Sequence, residues 1–224
     1  MVSVERDARR GERRLVKPVI GAYVPRGEEQ RGFVDGLRSG AGDATLVVDE
    51  TSSNAADVMN WAMSGADSDL LYLFCHARPA HYDGYAGTAA NCLGFGASDS
   101  EDEDELRVEL QQLQNWWAEH RPTNPIVFLN ACSSGQQNLV YGAPFVNFFL
   151  EKWGAQAFIG TDWPINASFA DMFGRRILGE VLQRRRSLRD AFRSVSDAAA
   201  AESNYFPSCT RSTVSAPFSS WIRS

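Results

Sequence analysis

The 224-residue chain is short of several things, and each shortage narrows its possible roles. No stretch of about 18 consecutive apolar residues occurs, which excludes a membrane-spanning helix. An excess of positive charge is missing too: the formal net charge is −6, with 22 Lys and Arg against 28 Asp and Glu. That balance argues against general affinity for nucleic acid or for an anionic membrane surface, so neither is expected as a partner. Only four cysteines occur, Cys75, Cys92, Cys132 and Cys209, too few and too irregularly spaced for a disulfide framework. The opening residues MVSVERDARRGERR contain no apolar signal core, and the expectation is a cytoplasmic protein with reduced thiols. No Gly-Lys-Ser/Thr phosphate loop is present; Gly94-Phe95-Gly96 lacks the third glycine and the strand-to-helix setting. No metal or other cofactor is expected. Cys75, His76, His81 and Cys92 fit no paired zinc spacing, and neighbouring side chains of a strand diverge.

What remains is 44% hydrophobic and 22% charged, enough to build one sizeable core without staples. The sequence divides into a polar lead-in over 1–14, a folded domain over 15–202, and a Ser- and Pro-rich tail over 203–224. Strands are expected within 15–24, 45–48, 69–75, 125–131 and 156–161. Helices are expected within 32–38, 53–63, 105–120, 145–153 (with Gly154 as its C-terminal cap), 167–186 and 187–202. Strands alternating with helices give an α/β fold with a largely parallel sheet. The runs Asp69–Cys75 and Pro125–Ala131 are apolar nearly throughout, as suits central strands covered on both faces. Residues 77–104 read as a long polar, Gly-rich segment running into the acidic run 98–105, which is either a solvated, mobile insertion or a lid or partner-docking loop. The arginines of 175–193 read as a helix surface pairing with acids.

In a parallel sheet, ligands bind beyond the C-terminal ends of the strands. His76 follows one apolar run directly and Cys132 follows another. If those strands are adjacent, a thiol and an imidazole stand at one sheet edge, the minimum for acyl transfer. Ser133-Ser134-Gly135 after the cysteine is a small-residue turn that keeps the approach open. The bland alternative is a packed thiol and a surface imidazole. Cys75 is the rival nucleophile, but its side chain points to the opposite strand face from His76 and reads as core. Cys92 and Cys209 have no fixed partner in the sequence pattern.

Four stretches together carry a family resemblance. Leu71-Tyr72-Leu73-Phe74-Cys75-His76 resembles the histidine strand of CHAT domains, and Val127–Gly135 (VFLNACSSG) resembles their nucleophile strand. The segment 145–163 and Ser187–Arg193 (SLRDAFR) are similar to the family's following segment and closing helix, in the same order. The resemblance covers about residues 43–200. It implies a caspase-like α/β sandwich, a largely parallel central sheet flanked by helices. It also implies a Cys-His dyad cysteine endopeptidase, clan CD, with Cys132 as nucleophile and His76 as acid/base. The backbone N–H groups of Cys132 and Ala77 would form the oxyanion site. No third orienting side chain is implied. Partners would be a protein or peptide substrate and an activating protein, in a setting such as prokaryotic defence.

The sequence departs from the family pattern at three points. Ala77 stands where the family usually has glycine. Asn166 and Ala167 stand where an acidic residue is common. The tetratricopeptide repeats that often accompany the domain are absent from these 224 residues. Asp162 and Trp163 leave the sheet beside the nucleophile strand. Asp162 either receives a basic substrate residue or caps the following helix, and Trp163 either walls that pocket or packs. A catalytically silent module that holds a peptide in the same cleft is the alternative function. A small-molecule acyltransferase or hydrolase is a third, and it requires a small enclosed pocket.

Overall fold

A computed structural model describes residues 2–5, 19–23, 45–49, 69–78, 81–82, 85–86, 92–94, 107–116, 125–132, 134–135, 144–161, 165–184 and 186–201, with 35–36 and 38–39. Its main sheet has six strands: β1 (Val2–Glu5), β2 (Val19–Tyr23), β3 (Thr45–Asp49), β4 (Leu70–Phe74), β10 (Ile126–Asn130) and β11 (Ala157–Gly160). They lie in the order β1-β11-β10-β4-β2-β3. All neighbours run parallel except β1, which is antiparallel to β11. The strand order reverses between β2 and β4, as in doubly wound sheets, which form their crevices beyond the strand C-termini near that point. The mixed α/β class with a parallel sheet is thus the one the strand–helix alternation implied.

The apolar runs of β4 and β10 feed both faces because successive side chains alternate. Leu71, Leu73, Val127, Leu129 and Phe158 enter one buried core. Leu70, Tyr72, Phe128 and Ile159 enter the other. The first core is closed by α2 (Pro144–Asn147) and the π-helical turn that continues it (Phe148–Lys152). There Phe149 stacks on Phe158 at 5.7 Å between centroids and meets Trp153 edge-on at 5.3 Å. Each such ring pair adds about 0.5–1.5 kcal/mol beyond area burial. Trp153 N–H donates to the Phe148 carbonyl, and Gly154 at φ 81° reverses the chain in the left-handed region, the capping role its position implied.

The second core is closed by α3 (Ala167–Leu182) and α4 (Leu188–Ala201) through Phe169, Phe173, Ile177, Val195 and Ala199. The Asn166 side chain caps α3, accepting from Phe169 N–H at 2.7 Å. Ser187 caps α4, accepting from Asp190 N–H at 3.1 Å and donating to the Asp190 carboxylate. On the outer surface Arg175 pairs with Asp171, Arg184 and Arg186 with Glu180, and Arg193 with Asp197. That matches the reading of a charged helix face supplied with acids.

Four features differ from the sequence expectation. Val2–Glu5, inside the lead-in 1–14, is an edge strand, its backbone groups bonded to β11. The segment 77–104 is not structureless. β5 (His76–Arg78), β8 (Cys92–Gly94) and β9 (Arg107–Glu109) form a three-stranded antiparallel sheet, and β6 (His81–Tyr82) and β7 (Tyr85–Ala86) form a small hairpin. Cys92 therefore has fixed neighbours, lying buried opposite Arg78 and Glu109. Finally, the helix expected from Glu105 begins later, as α1 (Leu110–Trp116), because Val108 is buried in β9 opposite Leu93. Gln112 reaches back to accept from Glu109 N–H at 2.8 Å, which fixes that start. The expected helix over 53–63, the acidic run 98–105 and the tail 203–224 lie outside the described residues.

Candidate functional site

β4 and β10 are hydrogen-bonded neighbours, parallel and in register, with Leu70 beside Ile126 and Phe74 beside Asn130. His76 and Cys132 each follow the last pair by two residues, so they leave the sheet at the same end and level. The condition set by the sequence, adjacency of the two strands, is met. The supports differ on the two sides. Cys132 stands in the tight turn after β10, whereas His76 opens β5 after the single residue Cys75.

The cysteine turn is tied down at several points. Ser134 Oγ donates to the Leu129 carbonyl at 3.0 Å and accepts from Thr161 N–H at 3.1 Å. Thr161 Oγ1 donates to the Ala131 carbonyl at 2.6 Å, and Gly135 N–H donates to the Thr161 carbonyl at 2.8 Å. Ser134 and Thr161 are both almost fully buried. Two glycines let the segments touch: a Cβ on Gly160 would lie 3.0 Å from Gly135 N and from Ser134 Oγ. Cys132 itself is half-buried, and its thiol donates to the Ile165 carbonyl at 3.3 Å, just before the cap of α3. The sequence marks Ser133-Ser134-Gly135 as a small-residue turn but singles out neither Ser134 nor Thr161. Small polar residues at the ends of two neighbouring apolar strands were the available signal.

Beneath the turn sits Asn130, fully buried, donating to Tyr72 Oη at 2.8 Å and to the Ala170 carbonyl at 2.7 Å. It links β10 to β4 and to α3. Gly174 of α3 passes directly over this pair, where a Cβ would stand 2.6 Å from Tyr72 Oη.

On the histidine side, Gly94 of β8 stands directly opposite His76, and a Cβ there would lie 3.5 Å from the His76 Cβ. The missing side chain leaves the half-buried imidazole uncrowded from β8. Ala77 is buried, and its methyl group belongs to the core shared with Leu93. Residues alternate along β5, so that methyl lies on the other strand face from His76.

Cys75 is buried in the same core, as the alternation required. Burial pushes its thiol well above the ordinary value of 9.0, and the nearby Cys132 and Cys92 thiols push it further the same way. A group whose folded-state value is raised gives stability that is present in full below pH 9.0 and is lost as pH climbs past it. Cys75 is therefore a neutral, inert thiol at pH 7. In a Cys209→Ala background, iodoacetamide at pH 7.5 is expected to modify Cys132 well before Cys75 or Cys92, and all three alike in urea. Mass spectrometry of the peptides reads this out. Native-state modification of Cys75 first would contradict the burial.

Asp162 and Trp163 lie outside the described residues. Their flanks do not: Thr161 and Ile165 both bond to the cysteine turn. The cap of α3 is Asn166, so the alternative that Asp162 caps this helix is corrected. Among the described residues no group of three or more His, Cys, Asp or Glu could hold a metal ion. No helix among them is long and apolar enough to cross a membrane.

A parallel α/β sheet that sends a histidine and a cysteine from adjacent strand ends defines the general class. The family model of the CHAT domain matches residues 25–211, most of the chain, and the protein belongs to that family. The family is related to caspase-like peptidases. No curated protein matches the chain.

Proposed function

We propose that the protein is a cysteine endopeptidase with a caspase-like sandwich fold. The observation that carries this reading is the in-register pairing of β4 with β10, followed two residues later by His76 and Cys132. In the proposed reaction the Cys132 thiol gives its proton to His76 as the sulfur attacks the peptide carbonyl carbon and forms a C–S bond. The oxyanion is held by the N–H groups of Cys132 and Ala77. His76 gives its proton to the amine nitrogen as the C–N bond breaks, leaving a thioester on Cys132. His76 then takes a proton from water, which attacks the thioester carbonyl; as the C–S bond breaks, His76 returns that proton to the sulfur, and the acid and the free thiol are released. Asp162 and Trp163, whose two flanks bond the cysteine turn, shape the pocket for the residue before the cut, and Asp162 favours a basic one. An activating protein partner and a role in regulated prokaryotic proteolysis are what the family resemblance implies, and a cytoplasmic location is what the opening residues without an apolar signal core imply.

Peptidyl acyloxymethyl ketones, with lysine or arginine in one set and aspartate or leucine in another at the cleaved position, test this. The expected result is covalent labelling of Cys132, fastest with the basic set. The family's usual glycine is Ala77 here, which favours the alternative of a silent peptide-binding module. Peptide binding without labelling of Cys132, alone or with its activating partner, would support that alternative and sink the peptidase.

A further inference from the structure

We propose that Thr161 and Ser134 are positioning residues for the nucleophile: their hydroxyls fix the turn that aims the Cys132 N–H and sulfur. This inference rests on the peptidase reading. A turn of small residues after a strand has many accessible conformations, and two hydroxyls remove that freedom here. Ser134 Oγ closes the turn on itself through the Leu129 carbonyl and takes Thr161 N–H as a second anchor. Thr161 Oγ1 holds the Ala131 carbonyl, whose peptide unit contains the Cys132 N–H. The orientation of that peptide plane is the orientation of one oxyanion donor, because the peptide is rigid. Both hydroxyls are buried, so water does not replace either one cheaply when it is lost.

The test uses the full chain and the peptidyl ketone that labels it fastest, separating the maximal labelling rate from the half-saturating concentration. Thr161→Val removes the hydroxyl at constant shape. It is expected to lower the maximal rate by about 10- to 100-fold, the cost of sub-ångström to ångström misplacement, without raising the half-saturating concentration. Amide hydrogen exchange of residues 132–135 is expected to quicken. Thr161→Ser keeps the hydroxyl and is expected to restore both. Ser134→Ala is the second variant should Thr161→Val fail to fold, with the same expectation. Ser187→Ala deletes a capping hydroxyl on α4 and is expected to lower stability while leaving the labelling rate unchanged. A reactive parent whose Thr161→Val and Ser134→Ala variants label as fast as it does would overturn the positioning role alone. A Thr161→Ser protein as slow as Thr161→Val would do the same. A parent that never labels would overturn the peptidase reading, and the positioning role with it.

Discussion

Cys132→Ala is expected to abolish peptide cleavage, and His76→Ala to slow it by about 100- to 10,000-fold, with both proteins folded like the parent. Neither side chain holds the core together. Deleting the Cys132 sulfur removes one hydrogen bond, to the Ile165 carbonyl, of a type that contributes about 0.5–1.5 kcal/mol. His76 faces a glycine across β8, so its truncation leaves no cavity on that side. The two variants should differ in a way that assigns the roles. The imidazole is needed most where the leaving group is a poor one, so His76→Ala should lose far more activity on an amide than on the matching ester. Cys132→Ala should lose both. Cleavage that survives Cys132→Ala, or that disappears in Cys75→Ala with the fold intact, would reassign the nucleophile.

The two glycines of α3 give opposite expectations for one chemical change. In a helix interior, Gly→Ala gains about 0.8–1.0 kcal/mol from propensity alone. At Gly179 nothing stands within 4 Å of the new methyl group, so Gly179→Ala should stabilise by about that amount. At Gly174 the methyl would meet Tyr72 Oη at 2.6 Å and Asn130 Nδ2 at 3.1 Å. Both side chains are fully buried and bonded to each other, so neither can swing away. Overpacking of this kind costs about 1–3 kcal/mol, occasionally more, and exceeds the propensity gain. Gly174→Ala should lower the urea midpoint and Gly179→Ala should raise it. Because Asn130 lies two residues before Cys132, Gly174→Ala should also slow labelling of that thiol. Equal stabilisation by both changes would mean that α3 does not lie this close to the sheet.

The central strands were legible because burial on both faces writes itself as unbroken apolar runs, as in Leu70–Phe74 and Ile126–Asn130. The ends of those runs then marked His76 and Cys132 without reference to any other part of the chain. The three-stranded sheet was not legible. Its strands are three residues each, shorter than the span over which alternation can be seen, and its partners are far apart in sequence. For the same reason Arg107–Glu109 was absorbed into the helix that follows it. The π-helical turn at Phe148–Lys152 has no sequence period that sets it apart from an ordinary helix. The hydroxyls of Ser134 and Thr161 were invisible because their partners are backbone carbonyls and amides, which every residue has. Only the pairing of β10 with β11 brings them together.

Cys75 is the lone residue between β4 of the large sheet and β5 of the small one, and its side chain is locked in packed hydrocarbon. A joint of one residue leaves little slack. The imidazole one position later takes its place from two ladders of backbone bonds at once, β10 acting through β4 and β8 acting through β5. The Cys132 thiol takes its place from β10, paired with both β4 and β11, and from the turn held by Ser134 and Thr161. A shift of β8 against β9 would therefore bear on His76 through β5, and reach Cys132 only through β4 and β10.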